Sequence, residues 1–328
     1  MSFNVKTPMV LAFVCSSFFT NTHAMRMNDA NKLYTETQTI AKYVTVQNPC
    51  YIEKKTPREF QVFNGDTLLF SDTGVIGEAI RGAQSINKTY NPNGITHSEI
   101  VVLDYANKML EYVKSVNFNT KDEEVRLVNQ KAQQQAIEHI ESNCYDILAM
   151  PRDSILTPFC FGATGTASEV LKGIWPHVHI TCLDVQLKEY GGNVYIRNLL
   201  EKHYIPQDIT RDYISNNLFR TYETISTFDS LLKATKDGNE GAVNDSDRLF
   251  CSELVSDFYK YAGILPESVV SCNVVPEDLS VGARECDLLS DIANEDLMLK
   301  YTKTLSKKSI DGNTFFGRIV RWFTNLFH

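Results

Sequence analysis

No run of lysines and arginines occurs in this 328-residue chain, and its formal net charge is −8. Both argue against a nucleic-acid partner. No stretch reaches the roughly 18–20 apolar residues that a membrane-spanning helix needs. A Gly-x-Ser-x-Gly elbow is missing, which removes the common serine-hydrolase arrangement. The Gly-containing loop Gly162–Ser168 lacks the trailing Gly-Lys-Ser/Thr of a phosphate-binding loop, which argues against a nucleotide site. There is no internal repeat. What is present is a globular composition, 43% hydrophobic, in a chain long enough for one large domain or two small ones.

The N-terminus reads as a targeting segment. Met1–Lys6 carries one positive charge, Thr7–Phe19 is apolar and small, and Thr22-His23-Ala24 sets small residues where a cleavage site needs them. Residues 1–24 are therefore expected to be a secretory signal peptide, with export to a periplasm or to the exterior; the alternative is a helix packed on the domain. Eight cysteines are present, and seven follow residue 24: Cys50, Cys144, Cys160, Cys182, Cys251, Cys272 and Cys286. One reactive thiol and three disulfides would use all seven in an oxidising compartment. Seven buried free thiols satisfy the same count.

Periodicity gives a coarse organisation. Residues 25–56 read as a lead-in helix, and Thr67–Phe70 as a short buried strand after a Gly-Asp turn. Asp72 or Thr73 is placed to cap a helix through about Gln84. His97–Leu103 is a second strand, followed by a turn at Asp104–Lys108, with Leu110–Val116 as an antiparallel partner. Thr120–Asn143 is the clearest helix, Tyr145–Met150 and Val178–Leu183 are strand-like, and residues 236–247 are a polar loop. The expected domains are a signal peptide (1–24), the lead-in (25–56), a catalytic domain (57–285, with an insertion at about 117–175) and a helical tail (286–328).

Two segments carry chemistry. Leu249-Phe250-Cys251-Ser252-Glu253-Leu254-Val255 places a cysteine at a helix start, with Leu254, Val255 and Phe258 at helical spacing and Gly263 and Pro266 closing the helix. The positive end of a helix dipole favours thiolate over thiol, and first-turn N–H groups can form half of an oxyanion hole. Alone, Cys251 reads sooner as a small buried apolar residue at a helix start than as a nucleophile. His97, in Ile95-Thr96-His97-Ser98-Glu99-Ile100, stands at the mouth of a strand, where an imidazole can serve as base to such a thiol. Alone, it is a strand-end histidine.

Together with Asn64-Gly65-Asp66-Thr67-Leu68-Leu69-Phe70, these segments resemble the circularly permuted, NlpC-like branch of the papain-like cysteine hydrolases. Glu189-Tyr190-Gly191-Gly192-Asn193-Val194-Tyr195-Ile196-Arg197, Tyr261-Ala262-Gly263-Ile264-Leu265 and Val275-Pro276-Glu277-Asp278-Leu279-Ser280 are similar to further pieces of that family, so the resemblance spans roughly residues 60–282. It implies an α+β, permuted papain-like fold with an antiparallel sheet against the cysteine helix. It also implies that Cys251 is nucleophile and His97 base, on a peptide or lipid amide, with no cofactor. The family's third residue, a Glu on the strand after the histidine strand, has no direct match. Glu111 is the first choice if Leu110–Val116 pairs with the His97 strand; Glu99 lies on the His97 face two residues on; Asp146 is the fallback.

Other features weigh less. His177 and His179, with Cys160 and Cys182, have zinc-ligand chemistry, but their spacing matches no common zinc site, so no metal is expected. In residues 314–328 Phe315, Phe316, Ile319, Val320, Trp322, Phe323, Leu326 and Phe327 form a wide apolar face beside Arg318 and Arg321. Such a helix docks on its own protein or lies on a membrane surface. The leading expectation is an exported cysteine hydrolase of the amidase or peptidase type. A lipid-directed acyltransferase, a fold-retaining binding or effector protein, and a disulfide-rich adhesion protein are the alternatives.

Overall fold

The computed structural model describes residues 44–48, 58–72, 77, 80, 81, 94–118, 120–164, 177–222, 248–281 and 287–300. The signal-peptide expectation, most of the helix expected from Asp72, the polar loop expected at 236–247 and the amphipathic segment 314–328 lie outside them. Among the described residues no helix is long and apolar enough to cross a membrane.

The architecture is α+β, built on one eight-stranded sheet. Its strands are β3 (Thr67–Ser71), β4 (His97–Tyr105), β5 (Leu156–Thr164), β6 (His177–Cys182), β7 (Asn193–Arg197), β8 (Thr221–Tyr222), β9 (Arg248–Leu249) and β10 (Leu297–Lys300). Their order is β10-β7-β3-β4-β5-β6-β8-β9. Every pair is antiparallel except β8 with β9. β1 (Val44–Asn48) and β2 (Arg58–Val62) pair as a separate two-stranded sheet.

β4 is central and covered on both faces, which explains its nearly unbroken apolar run Ile100–Leu103. On one side Ile100 and Val102 join a core with residues of α1 (Ala106–Ser115), α2 (Glu123–Asn143), α5 (Gln207–Asn217) and α6 (Cys251–Tyr261). On the other, Val101 and Leu103 meet Val46, Phe60 and Val62 of the small sheet, and Leu183 and Leu187 of α4 (Leu183–Glu189). The turn between β2 and β3 is built on Gly65, whose φ of 91° suits glycine. Asp66 then accepts the Phe63 N–H at 2.7 Å and the Leu199 N–H at 2.8 Å.

Four expectations are corrected. Leu110–Val116 is not a strand: Ala106, Met109 and Val113 are buried at helical spacing, so the chain turns directly from β4 into α1. Tyr145–Met150 is not a strand either, but begins with a single helical turn, α3 (Tyr145–Leu148). The insertion at about 117–175 contains β5, an interior strand of the sheet, so that stretch belongs to the domain body. The lead-in and the tail each contribute a strand: Val44–Asn48 pairs with β2, and Leu297–Lys300 is an edge of the large sheet beside β7. Thr120–Asn143 does contain a helix, α2, whose cap Asp122 accepts the Glu124 and Val125 N–H groups at 3.0 and 3.2 Å.

Arg197 ties the C-terminal segment to β7. Its guanidinium is buried, with Nη1 and Nη2 on the two Asp287 carboxylate oxygens at 2.5 and 2.7 Å, Nε on the Asn294 carbonyl at 2.9 Å and Nη1 on the Leu279 carbonyl at 3.1 Å. Replacing it with methionine keeps the packing but strands Asp287 and two carbonyls. We expect Arg197→Met to cost about 3 kcal/mol in a chemical-denaturation experiment.

Candidate functional site

The cysteine is positioned by a helix start. Phe250 is extended and Cys251 is the first residue of α6. Glu253 bends back so that its Oε2 accepts the Phe250 N–H at 3.4 Å. Ser252 Oγ donates to the Val274 carbonyl at 2.6 Å, and Leu254, Val255 and Phe258 are fully buried. One turn from the helix end, the Tyr259 hydroxyl donates to the Gly65 carbonyl at 2.7 Å and accepts from Thr67 at 2.5 Å. The helix is thereby anchored to the turn that opens β3, and Cys251 is fixed with it.

The histidine is positioned by the sheet. His97 opens β4 opposite Phe70 of β3, whose ring centroid lies 5.3 Å from that of the imidazole. The preceding residue is held as well, its N–H donating to the Phe70 carbonyl at 2.8 Å.

The structure brings Cys251, His97 and Glu99 together. The Cys251 thiol stands beside the His97 ring, close enough for each to shift the other's titration, and the backbone N–H groups of Ser98 and Ser252 also favour the thiolate. Glu99 Oε1 lies 2.9 Å from His97 Nε2. An ionised carboxylate only accepts, so His97 Nε2 carries the hydrogen and Nδ1 is the nitrogen left for the sulfur. Cys251 is 4% exposed and Glu99 1%, while a fifth of the His97 side chain meets solvent.

Burial and charge oppose one another here, and charge wins. Burial would raise the Cys251 thiol, yet the adjacent imidazolium, its hydrogen bond and the Ser98 and Ser252 N–H groups bring it below the ordinary value. Burial would lower His97, but the Cys251 thiolate and Glu99 raise it to about 10. Burial would also raise Glu99, but the neighbouring His179, the hydrogen bond from His97 and the charges of the two rings bring it to about 2. The thiolate–imidazolium form therefore persists from the lowered thiol value up to about pH 10. For Glu99, whose folded value is depressed, the stabilising contribution is complete above the ordinary carboxylate range. It is lost as pH falls toward about 2.

Neither a family model nor a curated protein matches this chain.

Glu111 stands elsewhere. The hairpin that would have set it beside His97 does not form; it lies on α1, more than half exposed, with Arg152 Nη1 at 3.3 Å. Asp146 is exposed on α3. Glu99 occupies the place that both were proposed to fill, from the histidine's own strand. Among the described residues no group of three or more His, Cys, Asp and Glu side chains is arranged to hold a metal. The His177, His179, Cys160 and Cys182 quartet is split: His179 faces Glu99, while Cys182 Sγ lies 3.5 Å from Cys144 Sγ. The five cysteines among the described residues, Cys144, Cys160, Cys182, Cys251 and Cys272, are free thiols, so the three-disulfide scheme is not the arrangement described.

Three contributors escaped the sequence reading: Gly162, Gln186 and His179. Period-two alternation put His177 and His179 on one face of β6, but only the register between β4, β5 and β6 reveals what that face meets. Glu99 pairs with Gly162, and Gly162 with His179. A β-carbon on Gly162 would stand 2.4 Å from Glu99 Cγ, so the absent side chain makes the room in which Glu99 lies.

Proposed function

We propose that the protein is a cysteine hydrolase of the amidase or peptidase type, with a permuted papain-like fold. The observation that carries this reading is Cys251 at the first position of α6, beside a His97 whose Nε2 is held by buried Glu99 at 2.9 Å and whose charge favours the thiolate. A helix N-terminus and an imidazolium both favour thiolate, and a carboxylate behind the ring fixes its tautomer. The antiparallel sheet, with the cysteine helix packed on the histidine strand, fits the papain-like arrangement. The Gly65-Asp66 turn and the buried Arg197 fall where the family resemblance expects fixed residues.

In the proposed reaction the Cys251 thiolate attacks the amide carbonyl carbon and the carbonyl electrons move to oxygen. First-turn N–H groups of α6 are suited to stabilise that oxyanion. Collapse breaks the C–N bond, and the leaving amine takes the His97 Nδ1 proton. His97 then removes a proton from water, which attacks the thioester carbonyl, releasing the carboxylic acid and returning the thiolate and imidazolium. The substrate is an amide of a peptide or of an N-acyl lipid.

An activated ester tests this directly. With p-nitrophenyl acetate, one acetyl group is expected on Cys251 by mass spectrometry, formed in a burst and then hydrolysed. Acetyl spread over several cysteines, or none on Cys251, would contradict the reading.

A further inference from the structure

We infer that His179 is a positioning residue for this site: it holds the Glu99 carboxylate as an acceptor after His97 has given up its proton. The inference rests on the cysteine-hydrolase reading for its consequence in turnover, and on geometry for the contact itself.

Glu99 Oε1 is surrounded by three nitrogens. His97 Nε2 lies at 2.9 Å, Gln186 Nε2 at 3.4 Å and His179 Nε2 at 3.7 Å. His179 reaches it across a bare rung: Glu99 on β4, Gly162 on β5 and His179 on β6 stand in register, and the glycine leaves the two outer side chains to meet. His179 is 2% exposed, and its Nδ1 lies 3.4 Å from the His177 carbonyl. Both of its nitrogens face oxygen, and with the ring hydrogen on Nε2, rather than on the Nδ1 beside the His177 carbonyl, the ring presents a donor to Glu99.

The need for such a donor arises midway through the reaction. When the leaving amine takes the His97 proton, the buried Glu99 loses its imidazolium partner. Burial then favours proton uptake by the carboxyl. A protonated Glu99 would donate to His97 Nε2, the hydrogen would sit on Nδ1, and the ring could no longer take a proton from water. His179 joins the Gln186 amide, which donates to the same Glu99 oxygen at 3.4 Å, in keeping Glu99 an acceptor, His97 Nε2 protonated and Nδ1 free. Without His179, the Glu99–His97 unit binds its proton more tightly and releases it only at higher pH. The other titratable groups near the pair are His97, Cys160, Tyr190, His139 and His177.

The test is hydrolysis of the pre-formed acetyl-Cys251 enzyme as a function of pH. In His179→Leu the midpoint of the rise in deacylation rate is expected to move up by about one pH unit. Deacylation below the midpoint should slow roughly tenfold while the acetylation burst changes little. His179→Gln, which keeps an N–H donor, should restore most of the shift. A purely structural role would lower stability in His179→Leu and leave the midpoint in place, which would overturn the inference. A second measurement needs no variant to fold: 15N NMR of the wild-type histidines should show His179 Nε2 protonated at neutral pH. A bare His179 Nε2 would overturn the inference. Because that result does not depend on Cys251 reacting, failure of the inference and failure of the hydrolase reading are separable.

Discussion

In His97→Ala, labelling of Cys251 by iodoacetamide at pH 6–7 is expected to fall by about 100-fold or more. The reason is the balance of effects on the thiol. Burial, the largest influence on Cys251, acts against the thiolate, and the charge and hydrogen bond of His97 are what reverse it. Removal of the ring leaves a buried thiol with two backbone donors, Ser98 and Ser252. Those N–H groups and the helix start are not sufficient, since the dipole effect at a helix terminus is worth about 0.3–1 kcal/mol. The variant should fold, because His97 sits at a strand end and is partly exposed. Undiminished labelling in His97→Ala would mean that the helix start alone activates the cysteine.

Gly162→Ala is the second large effect. The added methyl would meet Glu99 Cγ at 2.4 Å and Cδ at 2.8 Å in a site with almost no solvent exposure. Overpacking of this kind costs about 1–3 kcal/mol. The side chain that must move is the one orienting His97, so acetylation of Cys251 should also fall, by on the order of 100-fold. Combining Gly162→Ala with Glu99→Asp separates the two consequences. The shorter side chain makes room for the methyl, so stability should recover in part, while its carboxylate no longer reaches His97 Nε2 and acetylation should stay low. Recovery of both together would show that Glu99 does not orient His97.

The parts of the site that were legible in the sequence are those set by local chemistry. Leu254, Val255 and Phe258 at helical spacing after Cys251, and Gly65-Asp66 before an apolar strand, are short-range patterns, and each occupies the element it suggested. Glu99 was legible by the same logic, since alternation along a strand puts it on the face of His97. Glu111 was misplaced because Leu110–Val116 is amphipathic under either period; burial of Ala106, Met109 and Val113 against the core selects the helix. The strands β5 and β10 were hidden for a different reason. Leu297–Lys300 is a strand because β7, about a hundred residues earlier, offers it an edge. His179 belongs to this second class: its neighbour Glu99 is defined by three strands in register, a relation that spacing along one chain does not contain.

The central claim is that Cys251 is a preformed thiolate paired with His97. It is tested most directly by following iodoacetamide labelling of each cysteine in the folded wild-type protein as a function of pH, resolved by mass spectrometry. Labelling confined to Cys251, fast well below the ordinary thiol range of about 8.5 and ahead of Cys144, Cys160, Cys182 and Cys272, is the expected result. Labelling of Cys251 that rises only near that ordinary value, at the pace of the other buried thiols, would contradict it.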